Sequence, residues 1–165
     1  MLKKHTEKIE ISGTVLDQAK IAIVRAQFNA PLTESLEKHC LATLLEHGLK
    51  KDRILQFQVP GSLEIPIVAQ NIAKQKKANI IIALGVVIKG DTYHFEIVAS
   101  ECARGCMDVA LKFNIPIIFE VIPAYNLAQA KQRAGNNDQN KGKEAALAAL
   151  KMLKVMSQFK RGRGS

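Results

Sequence analysis

Short apolar runs alternate along the chain with longer stretches of helical periodicity. The clearest run is Asn79 to Ile88, NIIIALGVVI. It is nearly continuous, rich in Ile and Val, and too short for a globular helix, so it predicts a strand buried on both faces. Runs of the same kind predict strands at residues 21–25, 54–59 and 115–122, the last ended by Pro123. Residues 8–15 alternate partially and predict one more short strand. Between these runs, Pro31 opens a helix at a favoured position; Leu36, Leu41, Leu44, Leu45 and Leu49 give it an apolar face, and Gly48 stops it. Further helices are predicted over residues 63–75, with Pro66 in the first turns, and over 95–113 and 127–133. The last helix runs from Asn140 to Phe159 with an Ala/Leu-rich inner face. Strands alternating with helices predict an α/β fold, a parallel sheet covered on both sides.

In such sheets ligands sit outside the carboxyl ends of the strands. The loops there are unlike ordinary turns. Lys89-Gly90-Asp91-Thr92 offers backbone N–H groups and a hydroxyl, and His94 follows at the start of a helix. Phe28-Asn29 follows the first buried strand, and Pro60-Gly61-Ser62-Leu63-Glu64 brings a carboxylate to a helix start. Phe119 lies late in the last strand, with Arg133 beyond it. Together these supply a stacking ring, a carboxylate for hydroxyl groups, a proton-transfer group and an anion anchor. Taken singly, each also has a structural reading: His94 as a polar helix-start residue, Phe28 and Phe119 as core or interface aromatics, Glu64 as a carboxylate favoured by the helix dipole, Arg133 as a solvated charge. His5, His39 and His47 show no ligand spacing.

Composition narrows the picture further. The 165 residues suit one domain, 1–165, with tails at 1–8 and 160–165. Cys40, Cys102 and Cys106 form no CxxC pair and suit a reducing, cytoplasmic setting. No apolar run approaches the ~20 residues of a membrane span, and residues 1–12 lack the apolar core of a signal peptide. The formal net charge of +9 suits an anionic substrate, although much of it is terminal: Lys3, Lys4 and Lys8 at one end, Lys160, Arg161 and Arg163 at the other. It also raises a nucleic-acid-binding reading, but the aromatic motifs of RNA recognition are absent, and no nucleic-acid or membrane partner is expected.

The blocks FN, VPGSLEIP, ALGVVIKGDTYHFEIVA, PIIFEVIPAYNLAQAKQRAG and NKGKEAALAALKM, collinear from about Ile11 to Met152, resemble the lumazine synthase family of riboflavin biosynthesis. The resemblance implies a three-layer α/β/α sandwich around a four-stranded parallel sheet. It also implies an N-terminal strand pairing with a neighbouring subunit. The expected assembly is a homopentamer, which in some members builds icosahedral shells. The implied reaction joins 5-amino-6-(D-ribitylamino)uracil to 3,4-dihydroxy-2-butanone 4-phosphate, giving 6,7-dimethyl-8-ribityllumazine, phosphate and water, with no metal or organic cofactor. By the same resemblance His94 transfers protons. Phe28, Ser62, Leu63, Glu64, Val86, Val87 and Ile88 hold the pyrimidinedione and its ribityl chain. Asp91 and Thr92 meet the phosphorylated ketone. Phe119 and Arg133 come from the adjacent subunit, Arg133 to the phosphate, and Lys141 lies near that site. A paralogue that binds a flavin or lumazine without turnover is the competing reading within the family. The sequence departs from the family pattern at Ser62-Leu63, where many members carry Ala-Phe, and at Val121 to Asn126, which replaces a Thr-rich turn.

Overall fold

A computed structural model describes residues 9–160. The elements are α1 (Gly13–Gln18), β1 (Ile21–Ala26), α2 (Ala30–Glu46), β2 (Ile54–Val59), α3 (Ile65–Lys74), β3 (Ile80–Ile88), α4 (His94–Phe113), β4 (Ile117–Ala124), α5 (Leu127–Ala134) and α6 (Lys141–Lys160). Single turns of 3-10 helix precede β2 and α3, at Lys51–Arg53 and Ser62–Glu64. The four strands are all parallel, in the order β2-β1-β3-β4. The chain order therefore reverses between β1 and β3. At such a switch point the loops after the two strands diverge to opposite faces and leave a crevice.

The two faces of the sheet bury separate cores. Ile21, Ile23, Ile80, Ile82, Leu84 and Val86 pack with α2, α5 and α6. The alternate residues Ala22, Val24, Ala26, Ile81 and Ala83 pack with α3 and α4. The period of two along each strand divides the apolar set this way. Both faces are covered, so β1 is buried along its whole length, and the three-layer α/β/α sandwich is the observed architecture. α2 ends as its glycine predicts. Gly48 has φ +92°, its N–H donates to the Leu45 carbonyl at 3.0 Å, and the Leu49 N–H donates to Leu44 at 3.2 Å.

Two expectations are corrected. Residues 9–12 form no strand within the chain, and Gly13–Gln18 is a helix capped by the Ser12 hydroxyl, which accepts from the Val15 N–H. Ile9, Ile11 and Val15 pack against the α2–α6 core, so the apolar positions that suggested a strand serve a different surface. Lys8 and the expected tails lie outside the described residues, apart from Lys160 at the end of α6. The second correction is at Pro123, which does not end the last strand but sits inside β4, in register with Val87. The Pro116 and Ala124 carbonyls accept from Ile81 of β3 and from Lys89 just past its end, at 3.0 and 2.9 Å. Even-numbered residues of β4 therefore face β3, and Pro123 faces the open edge, where its missing N–H costs no ladder bond.

Candidate active site

The crevice after β1 and β3 is a cleft of about 440 Å³. Each wall has a local cause. Beyond β1 the β1–β2 hydrogen bonding continues, with Gln27 N–H donating to Val59 at 2.7 Å and Phe28 N–H to Pro60 at 3.1 Å. These bonds carry Phe28 out over the cleft, where the residue is 72% exposed. Across from it, Pro60 to Glu64 turns into α3. The Glu64 carboxylate accepts from the Gly61 N–H at 2.9 Å, holding this acid at the mouth of the cleft while its other oxygen stays open. Ser62 is buried beneath, and it packs there only because residue 85 is glycine: a Cβ on Gly85 would lie 2.6 Å from the Ser62 hydroxyl.

Val86, Val87 and Ile88 form the floor, and Thr92 and His94 close the far side, with His94 opening α4. The structure thus brings together Phe28, Ser62, Leu63, Glu64, Val86, Val87, Ile88, Thr92 and His94. Asp91 lies exposed on the same loop without lining the cleft. Lys89 flanks this loop. Its ammonium lies 3.7 Å from a Glu96 oxygen and 5.7 Å from the centre of the Tyr125 ring.

Phe119, Arg133 and Lys141 do not line this cleft. Phe119 is 37% exposed on the edge strand β4. Arg133 and Lys141 share one electrostatic neighbourhood with Glu120 and Glu144. Burial pushes the Glu120 carboxyl up to about 7, while Lys141 and Arg133 draw it down and Glu144 pushes it up. Lys141 pairs with Glu144 at 2.7 Å. One chain therefore carries two separate groups of candidate residues, the cleft and a mixed-charge cluster at β4, α5 and α6.

Several residues that shape the site were not singled out from the sequence. Asn140 is fully buried; its amide nitrogen reaches the Gly135 and Ala134 carbonyls at 2.7 and 3.1 Å, and its oxygen accepts from the Gly142 N–H at 2.8 Å. Gly142 in turn permits close approach, since a Cβ there would meet the Leu36 carbonyl oxygen at 2.1 Å. Asn140 and Gly142 lock the start of α6 so that Lys141 between them projects outward. The run Asn-Lys-Gly was legible as a unit, but its long-range contact with α2 was not. The three cysteines are free and buried. Burial raises the Cys40 thiol to about 12, and the hydrogen bond with Cys106, together with burial, raises Cys102. No helix among the described residues is long and apolar enough to cross a membrane.

An all-parallel sheet with an aromatic ring, a carboxylate and a histidine around its switch-point crevice places the chain among α/β proteins whose ligand cleft lies at the carboxyl ends of the strands. Residues 18–157 match the model of the 6,7-dimethyl-8-ribityllumazine synthase family, and the chain belongs to that family. It is thereby placed among the transferase-type enzymes of riboflavin biosynthesis that make lumazine.

Proposed function

We propose that this chain condenses 5-amino-6-(D-ribitylamino)uracil with 3,4-dihydroxy-2-butanone 4-phosphate to give 6,7-dimethyl-8-ribityllumazine. The observation that carries the reading is the joint placement of Phe28, Glu64, Ile88 and His94 around one cleft. The Phe28 ring stacks on the pyrimidinedione. Glu64 accepts hydrogen bonds from ribityl hydroxyls. The 5-amino group attacks the ketone carbonyl, and loss of water leaves a C=N bond. Loss of the C3 proton expels phosphate from C4 with the C–O bonding electrons, and the resulting enol tautomerises, so that the C3 hydroxyl becomes a carbonyl and C4 a methyl group. The ribitylamino nitrogen then closes the ring on the remaining carbonyl, and a second water leaves. Each step moves a proton, and His94 at the cleft wall is the group suited to carry it near neutral pH. Holding two substrates in one geometry lowers a barrier by up to roughly 7–11 kcal/mol in favourable cases.

The phosphate needs a cation that never loses its charge, and the guanidinium of Arg133 offers a bidentate fork. Arg133, Lys141 and Phe119 lie away from the cleft of their own chain, so in this reading they complete the cleft of the next subunit in a ring. The exposed Ile67, Ile97, Met107 and Leu111 on α3 and α4 supply apolar area for such an assembly. Purified protein given both substrates should release phosphate and form a product with lumazine absorbance and fluorescence. Protein that binds the pyrimidinedione and forms no such product would instead support the binding-only reading.

A further inference from the structure

Asn29 stands at the N-cap of α2, yet its side chain makes no capping hydrogen bond. An Asn there ordinarily adopts extended backbone and caps the first turn with its side chain. Here the backbone is left-handed, φ 60° and ψ 42°, an uncommon conformation for a residue with a Cβ. The first turn is served by the Asn29 carbonyl, which accepts from Leu32 and Thr33 at 2.9 and 3.1 Å. The amide is thereby freed to reach across the switch point, donating to the Val86 carbonyl at 2.8 Å.

The strand geometry explains that contact. Ile81 of β3, and Lys89 just past its end, donate toward β4, so odd-numbered residues of β3 present their backbone groups to β4, and Val86 and Ile88 present theirs to β1. The β1–β3 register ends at Arg25 and Leu84, and β1 itself ends at Ala26. The Val86 carbonyl therefore emerges past the last rung, where Asn29 takes it. The backbone groups of Ile88, one step further along the same edge, face the cleft beside Phe28.

We propose that Asn29 is a positioning residue for the flat heterocycle. It fixes the gap between the Phe28 ring and the edge of β3, and by occupying Val86 it leaves Ile88 to read the edge of the ring. This rests on the reading that the cleft takes the pyrimidinedione. Three variants separate the parts. Asn29→Gly keeps the left-handed backbone and loses the amide. Asn29→Asp keeps the shape but cannot donate and repels the Val86 carbonyl. Asn29→Ala loses the amide and strains the backbone.

Binding of 5-amino-6-(D-ribitylamino)uracil is measured by calorimetry on the full chain, alongside KM for each substrate. Asn29→Gly and Asn29→Asp should weaken the pyrimidinedione roughly threefold to tenfold, as expected for one lost hydrogen bond, and leave KM for the phosphorylated ketone unchanged. Asn29→Ala should show the same split with a lower Tm than Asn29→Gly. Wild-type affinity in both the Gly and the Asp variant, or equal weakening of the two substrates, would overturn the assignment and leave Asn29 a turn residue. A parent protein that binds the pyrimidinedione without turnover would sink the proposed reaction and leave the calorimetric comparison of the variants to decide the role of Asn29. One that does not bind it would overturn both.

Discussion

Arg25 donates through Nε to a carboxylate oxygen of Glu37 at 2.8 Å, with the two side chains only 5% and 11% exposed. The pair joins the end of β1 to α2 beneath the loop that carries Phe28. Arg25 also donates to the Thr33 hydroxyl at 3.4 Å, and Gln56 of β2 donates to the second Glu37 oxygen at 3.1 Å. Removing one partner would leave the other charge buried without compensation. Glu37→Ala should therefore cost about 3–5 kcal/mol in denaturant unfolding. Breaking the exposed Arg104–Glu101 pair should cost about 0–1 kcal/mol. Similar losses for the two would mean that water reaches Arg25.

His94→Ala should lower turnover by ~10²–10⁴-fold, the range for losing a general acid–base group. KM for the pyrimidinedione should change little, because Phe28 and Glu64 remain in the cleft wall. Turnover at the parent rate would remove His94 from the mechanism.

Arg133→Ala should chiefly raise KM for the phosphorylated ketone, through loss of a charge-assisted anion contact. Because Arg133 lies away from the cleft of its own chain, the His94→Ala and Arg133→Ala chains should complement each other when co-expressed. Random one-to-one mixing around a head-to-tail ring leaves roughly a quarter of the sites with both residues intact. Activity no greater than the sum of the separate variants, in hetero-oligomers verified by mass spectrometry, would place Arg133 outside the site.

Glu120 predicts a dependence of stability on pH. Burial raises its carboxyl from the ordinary 4.5 to about 7 in the folded chain. Between those values the folded state holds a proton that the unfolded state has lost, so stability falls as pH rises through the window and levels off above it. Glu120→Gln removes the titrating group. Its gain in Tm over the parent should be small at about pH 5 and largest at about pH 8. An equal difference at both values would mean that Glu120 is already ionised at the lower pH.

The layered α/β class is legible in the order of the residues alone. Runs such as residues 80–88 and 21–24 are apolar at every step, which only a strand covered on both faces can use, and the intervening 3.6-residue periods supplied the helices. The sequence also pointed to the residues that line the cleft, because Phe28, Glu64 and His94 each lie within a few positions after a predicted strand. What the tertiary structure decided is partnership across the sheet. Pro123 is tolerated because β4 lies at the edge with its odd residues outward, a fact of strand order that no local pattern contains. Gly13 to Val15, part of the alternating run, open α1 instead, with the Ser12 cap and the packing of Val15 on the core deciding the backbone there. Gly85 and Gly142 are glycines because of Ser62 and Leu36, far away in the chain. Asn29 had no role of its own in the sequence because its partner, Val86, is 57 positions distant. Local propensity acts over a few residues, whereas these contacts exist only once β1 and β3 lie side by side.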